Sequence, residues 1–194
     1  YDHIMKSMTL VPDDLILRLT MFFHDVGKPE CFTKDKNGRG HFYNHSKYST
    51  EIAEKTMRNL KYDNKTIEKV LNLVKYHDYT LEPKKTAIKS FLNKLGETNF
   101  SKWCKVREAD ILSQNLIYAS ERLEKLYKIK MLHKEIQDDK DCFAIKDLAV
   151  NGNDLIDCGI EEGKEIGNKL QYLLDKVIEN PKLNTKESLL GLIK

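Results

Sequence analysis

The stretch FFHDVGKPE, residues 22–30, ends an apolar run with an imidazole and a carboxylate side by side, directly before a glycine and a lysine. An ionised carboxylate on a buried helix is costly unless something pairs with it. Neighbouring helical positions diverge by about 100° around the axis, so His24 and Asp25 need a common partner between them. A divalent cation fits, because it takes an imidazole nitrogen and a carboxylate oxygen together and cancels the charge. The simpler alternative is that Asp25 orients a core histidine or caps a turn. His77 and Asp78 form a second such pair, and the chain also carries His3, His41, His45 and Asp110. Asp110 sits among Val106, Ala109, Ile111 and Leu112, so the same question of a neutralising cation arises there. His41 follows glycines and reads as a structural loop residue.

The elements that must position these groups read as helices. Pro12, Asp13 and Asp14 suit a helix first turn, with proline where no donor is needed and acids at the positive dipole end. Leu15, Ile16, Leu19, Phe22, Phe23 and Val26 leave little polar face, which predicts burial on nearly all sides. A second helix is expected from Ser46 to Leu60, and a third, capped by Asn64, leads to His77. KKTAIKSFLNKLG gives a fourth closed by Gly96, and NFSKWCKVREADILSQN a fifth with Ser101 as a candidate cap. An amphipathic stretch follows from about Leu116 to Ile136. No run alternates with period two for long enough to predict a sheet, so the expected class is all-α.

QDDKD, residues 137–141, interrupts the periodicity, and Gly152, Gly159, Gly163 and Gly167 crowd the stretch beyond it. The expected organisation is a helical domain over 1–140 and a small C-terminal helical subdomain over 146–194, with a last long helix from Lys164 to Ile178. The glycines supply the backbone freedom of caps and turns. Alternatively, backbone donors around Gly163 to Ile166 hold a phosphate at a helix N-terminus.

With 194 residues, 40% of them hydrophobic, the chain can build one full core or two small ones. It has neither an apolar run of the roughly 18 residues a membrane span needs nor a signal-peptide pattern, so a cytoplasmic protein without membrane association is expected. Cys31, Cys104, Cys142 and Cys158 are scattered, without the spacing of a zinc knuckle or a disulfide framework. The opening YDHIMKSM starts inside a helix without an initiator methionine, as expected of an excised domain. Residues 81–134 carry twice as many basic as acidic side chains, whereas 135–194 are acidic. A basic middle could be the footprint of a polyanion, or lysine abundance could reflect composition alone.

His3, then His24 and Asp25 followed by Gly27 and Lys28, then Asp110 resembles the His, His-Asp, Asp signature of HD-domain metal-dependent phosphohydrolases. Further, HDVGKPECFTKDKNGRGHFYNHSKYSTEIA and LAVNGNDLIDCGIEEGKEIGNKLQYLLDKVIENPKLNT resemble the two halves of the C-terminal region of bacterial tRNA nucleotidyltransferases, the CCA-adding and poly(A) polymerase-like family. The resemblance extends over essentially the whole chain. It implies an HD-domain-like helical bundle, and in the natural full-length chain an N-terminal nucleotide-adding head with metal-binding acids on a sheet. This sequence holds no such head. Asp139 and Asp141 spell Asp-x-Asp, but without a Gly-rich strand and turn they read as solvent-facing charge.

Two functions follow from the resemblance. In the first, His3, His24, Asp25 and Asp110 hold one metal, and Asp25 bridges to a second held by His45 and His77. Imidazole-rich ligation favours Mn, Ni, Co, Fe or Zn over Mg alone. His24 and Asp25 would then be catalytic, with Lys28 steadying a phosphate oxygen. Substrates would be phosphomonoesters or 2′,3′-cyclic phosphates, including RNA ends. A neutral His45 is expected from its place at a helix N-terminus. In the second, the chain is a non-catalytic tRNA-binding body and tail, with Lys84, Lys85, Lys89, Lys102, Lys105 and Arg107 against the phosphate backbone. Trp103 is expected in the core, with stacking on a tRNA base as the alternative.

Overall fold

Helix α2 (Leu15–Phe23) organises the part of the chain that carries most of these groups. Asp14 caps it by accepting the Leu17 amide at 3.1 Å, so Pro12 and Asp13, expected in its first turn, lie before it. Leu17 and Met21 face Val11, Val106 and Ala109, while Phe23 joins a second cluster with Ala53, Met57, Ile67, Val70 and Val74. The expectation of burial on all sides is corrected, since Leu15 and Phe22 are exposed. Two packing faces do not close around a helix, and the surplus apolar positions meet water.

The computed structural model describes residues 2–114, 117 and 119–193. They form two compact units, residues 1–80 with 97–127 and residues 81–96 with 128–194, so the segment 140–146 lies within the second unit. In the first unit, α1 (Asp2–Thr9) packs on α2 and on α6 (Glu97–Ser113), while α3 (His45–Asn59) packs on α4 (Asn64–Tyr76). Asp63, rather than Asn64, caps α4 by accepting the Thr66 amide at 3.0 Å. Ser101 lies inside α6, which starts at Glu97. Trp103 is a core residue: it is buried, packs near Phe100, and its indole N–H donates to the Tyr76 carbonyl at 2.7 Å. α7 (Ala119–Asp138) begins after the expected onset at Leu116, which is outside the described residues.

The fold is predominantly all-α, with one addition. Strands β1 (Phe32–Lys34) and β2 (Gly40–Phe42) form an antiparallel hairpin in the register Phe32 to Phe42, Thr33 to His41 and Lys34 to Gly40. Asp35 Oδ1 accepts the amides of Asn37 and Arg39, both at 2.9 Å, and Gly38 takes a positive φ of 78° in the turn. Strands of three residues are too short to show alternation, and turn chemistry rather than a buried face sets their pairing.

In the second unit, α5 (Lys85–Leu95) packs on α9 (Lys164–Glu179), as does α8 (Gly152–Asp157). Gly96 closes α5 with φ 79° and donates its N–H to the Leu92 carbonyl at 2.8 Å. Leu155, Leu170, Leu173 and Val177 form the core with Leu189 of α10 (Lys186–Gly191). Gly159 and Gly163, with φ of 88° and 124°, serve the turns before α9. Asp139 and Asp141 are not merely solvent-facing: the first pairs with Lys85 at 3.0 Å and the second with buried Lys89 at 2.6 Å. No described helix is long and apolar enough to cross a membrane, and the cysteines form no disulfide among the described residues.

Candidate metal centre

His24 and Asp25 stand just past the last turn of α2 rather than in its body. His24 is the C-cap: its N–H donates to the Thr20 carbonyl at 2.9 Å, and its Nδ1 lies 2.6 Å from the Met21 carbonyl oxygen. His77 caps α4 in the same way, with Nδ1 2.7 Å from the Val74 carbonyl oxygen. Each ring thus contacts a carbonyl in the last turn of its helix, and the Val74 carbonyl also accepts the His77 N–H at 3.4 Å. His45 opens α3 and sets its Nδ1 3.1 Å from the Phe42 carbonyl oxygen. His3, on α1, sets its Nδ1 3.0 Å from Ser113 Oγ, whose own hydrogen goes to the Asp110 carbonyl at 2.8 Å.

These partners decide the tautomers. A carbonyl oxygen only accepts, so Nδ1 of His24, His45 and His77 carries the hydrogen, and the Ser113 hydroxyl, already donating, imposes the same on His3. In the neutral ring each Nε2 is then a bare lone pair. All four are aimed at the carboxylate of Asp25. His3 Nε2 and His24 Nε2 are 3.0 Å apart, and each lies 3.3 Å from Asp25 Oδ2. Asp110 Oδ1 joins this group, 3.3 Å from His3 Nε2 and 3.7 Å from His24 Nε2. On the other side, His45 Nε2 and His77 Nε2 are 3.0 Å apart and lie 3.4 and 3.7 Å from Asp25 Oδ1. The structure therefore gathers His3 and His24 at one oxygen of Asp25 and His45 and His77 at the other, with Asp110 bordering the first group through His3 and His24. His41 stays apart, in β2 rather than a loop, with Nε2 3.0 Å from Asp35 Oδ2.

Four Nε2 lone pairs around one carboxylate favour positive charge beside them, from the Lys28 ammonium 2.5 Å from Asp25 Oδ2, from protons on the rings or from a metal. Protons leave their mark on the titration: hydrogen bonds to Asp110 and Asp25 raise the His3 pKa to about 9. Burial alone would raise the pKa of Asp25, but hydrogen bonds from His24, His3 and His77 outweigh it and hold the carboxyl well below its ordinary range. Asp110 is likewise pushed up by burial, yet the His3 hydrogen bond and the charges of His24 and Arg107 bring it down to about 2. The pKa of His45 is lowered, first by burial and then by its neighbour His77.

A cleft of about 310 Å³ opens onto Asp25, His45, His77 and Asp110. Three cations on its walls stand beside its carboxylates. Lys28 Nζ lies 2.5 Å from Asp25 Oδ2, Arg107 Nη1 donates to the His77 carbonyl at 2.8 Å, and Arg122 Nη2 is 3.5 Å from Asp110 Oδ2. Gln114 links two of these groups, donating to Asp110 Oδ1 at 2.9 Å and accepting from Arg122. Gln114 and Arg122 did not stand out in the sequence. Gln114 was findable, because a residue four positions after Asp110 shares its face of a helix, but nothing local marks Arg122 among the charges of α7.

The basic side chains expected to meet RNA are placed differently from one another. Lys84 and Lys105 are exposed. Lys85 pairs with Asp139 and Glu135, Lys102 pairs with Asp14, and Lys89 is buried against Asp141. Arg107 belongs to the cleft. Lys89 is thus a correction to the expected surface: its stem fills the core and its charge is already neutralised.

Residues 35–193 match the family model described as tRNA nucleotidyltransferase domain 2, putative. The chain is also similar to an A-adding tRNA nucleotidyltransferase of Deinococcus radiodurans, 38% identical over 58 residues. That similarity covers 29% of this chain and 13% of the relative's length. No solved structure matches the chain significantly. Because the family match runs through most of both units, from the hairpin to the last helix, the chain belongs to the tRNA nucleotidyltransferase domain 2 family.

Proposed function

We propose that the first unit is a divalent-metal-dependent phosphohydrolase of the HD type, a phosphomonoesterase or cyclic phosphodiesterase, within a tRNA nucleotidyltransferase-related protein. The observation that carries this reading is the division of the Asp25 carboxylate, with Oδ2 3.3 Å from Nε2 of His3 and His24, and Oδ1 3.4 Å from Nε2 of His45. His3, His24, Asp25 and Asp110 would hold one ion, and Asp25, His45 and His77 a second. Mn, Ni, Co, Fe or Zn suits such imidazole-rich ligands, with Mg a poorer fit. Bound ions would polarise a phosphoryl oxygen and supply a hydroxide near neutral pH.

The chain's own residues do the rest. Lys28, Arg107 and Arg122 place positive charge on the cleft wall to receive the non-bridging oxygens of a phosphoester. The backbone carbonyls of Met21, Phe42 and Val74 hold three rings in one tautomer, so the site is organised before substrate arrives. The test is hydrolysis of a 2′,3′-cyclic nucleotide and of a phosphomonoester by protein loaded with Mn or Ni. Metal-dependent turnover that His24→Ala and Asp25→Ala abolish is expected, and turnover no greater than in those variants would overturn the reading.

A second reading is favoured by the family match: the chain is a non-catalytic tRNA-binding body. Exposed Lys84 and Lys105 are the two expected phosphate contacts that remain available to it. A complex with tRNA in a gel shift, weakening steeply between low and moderate salt, is expected of such a body. No salt-sensitive complex would count against it.

A further inference from the structure

A second hollow, of about 590 Å³, lies against the metal cleft in the same unit. One wall is the outer face of the start of α3, with Ser46, Thr50 and Glu51, and the other is the end of α4 and the turn after it, with Tyr76, Asp78 and Tyr79. The two hollows meet at Asp78, which lines both. Asp78 Oδ2 is 3.7 Å from His45 Nε2, so the shared wall lies directly beside the second histidine pair. Once His45 and His77 meet, chain neighbours carry the adjacency outward: Ser46 follows His45, while Tyr76 and Asp78 flank His77.

The chemistry of the two lobes is complementary. The cleft gathers Lys28, Arg107 and Arg122 with the imidazoles and with Asp25, Asp78 and Asp110, so a phosphate would meet the cations beside the carboxylates they now contact. The neighbouring hollow adds tyrosine rings and hydroxyls, with Lys47, Lys75, Glu51 and Asp78 also in its lining. Tyr76 and Tyr79 stand edge to face with centroids 6.2 Å apart, and Tyr79 is 40% exposed. Lys75 Nζ lies over the Tyr76 ring at 5.2 Å, adding a cation to the aromatic wall. A volume of about 590 Å³ falls within the ~300–1,000 Å³ typical of small-molecule sites. It is ample for a ring system attached to a sugar.

We infer that this hollow is the nucleoside subsite of the phosphohydrolase centre: it takes the base and sugar of a nucleoside phosphate whose phosphate occupies the adjoining cleft. The inference rests on the hydrolase reading for the phosphate lobe. The base lies against the tyrosine wall, where stacking is indifferent to base identity. Asp78, Glu51, Ser46 and Thr50 accept and donate hydrogen bonds at its polar edge and at sugar hydroxyls. The substrate is then a nucleotide or an RNA terminus rather than a phosphoester without a base.

The test uses the whole chain loaded with Mn, as wild type, Tyr79→Ala and Thr50→Trp, the last filling the hollow from its opposite wall. Two measurements are made: kcat/KM for a nucleoside 2′- or 3′-monophosphate relative to glycerol phosphate, and calorimetric binding of the corresponding free nucleoside. Circular dichroism and bound-metal content confirm that each variant is folded. We expect both substitutions to lower the kcat/KM ratio about tenfold, the scale of one lost base stack, and to weaken nucleoside binding similarly. Wild-type hydrolysis with an unaltered ratio in both folded variants would overturn the subsite and leave the hydrolase standing. No hydrolysis by the wild type would sink the hydrolase reading, and nucleoside binding lost in Thr50→Trp would still support the hollow, whereas no nucleoside binding at all would overturn it.

Discussion

His45 Nε2 lies 3.0 Å from His77 Nε2, although one ring opens α3 and the other closes α4, 32 positions later. Both nitrogens are lone pairs in the neutral tautomer, so a contact this short calls for positive charge beside it. Asp25 Oδ1 points at the same place.

The shared carboxylate leads to an expectation about metal content. The wild-type chain should bind two divalent ions, and Asp25→Ala should lose both. His3→Ala should weaken mainly the first and His77→Ala mainly the second, since they stand on opposite sides of Asp25. Removing one of three or four ligands should reduce affinity for that ion by roughly 100-fold or more, above the ~10–100-fold typical of outer partners. Elemental analysis after dialysis, with calorimetric titration of Mn, measures this.

Proton competition sets a pH dependence. The His3 ring is raised to about 9 in the metal-free protein, so at neutral pH it carries a proton that an ion must displace. Apparent affinity should rise by about tenfold per pH unit between roughly 7 and 8.5, then level off above 9. Metal-free stability runs the other way: the folded pKa lies above the ordinary 6.5, so the His3 contribution is complete below 6.5 and lost as pH climbs through 9. Asp110, lowered from 3.8 to about 2, contributes above 3.8 and loses that contribution as pH falls through 2. Thermal midpoints in EDTA for wild type and His3→Ala should therefore differ more at pH 6 than at pH 9.

Gly27 is a point of close approach. A Cβ there would lie 2.4 Å from the Ser49 amide nitrogen and 2.7 Å from the His45 carbonyl oxygen, and both neighbours are backbone. The Gly27 N–H donates to Ser49 Oγ at 2.9 Å, which holds the turn against α3. Gly27→Ala should push the start of α3, and His45 with it, away from Asp25. A loss of about 1–3 kcal/mol is expected from overpacking, with weaker binding of the second ion. Urea denaturation and metal titration report the two effects separately.

Buried Lys89 makes the second unit sensitive to its partner. Asp141→Ala would leave an ammonium 3% exposed without the carboxylate now 2.6 Å away, at a cost of about 3–5 kcal/mol. Lys89→Met, which retains the apolar stem and removes the charge, should be milder. Comparing the two by chemical denaturation separates the unpaired charge from the lost packing.

Much of this was legible in the chain. The apolar periodicity of α3, α4, α5 and α9 marked them as helices, because one face of each must be buried. The residue types around His24 and Asp25 marked them as candidate ligands, and the structure brings them close to His3, His45 and His77. Boundaries were less legible: Asp14, expected in the first turn of α2, caps it, and Asp63 took the cap expected at Asn64, since several acidic or amide residues in a row could each fill that role. The hairpin from Phe32 to Phe42 escaped notice because three-residue strands carry no periodic signal. Lys89 looked like surface charge, and only its contact with Asp141 makes it an interior residue.

By itself the sequence determined which groups were available, namely six histidines and a few acids next to apolar runs, and the helical repeat that would carry them. Only the tertiary structure decided that His3 and His24 gather at one oxygen of Asp25 with Asp110 beside them, that His45 and His77 gather at the other, and that Arg122 joins the cleft. The reason is physical. Local propensity acts over a helical turn, whereas these distances depend on how α1, α2, α3, α4 and α6 pack, which is set by burial of Met21, Phe23, Met57, Val74 and Val106 rather than by the ligands themselves.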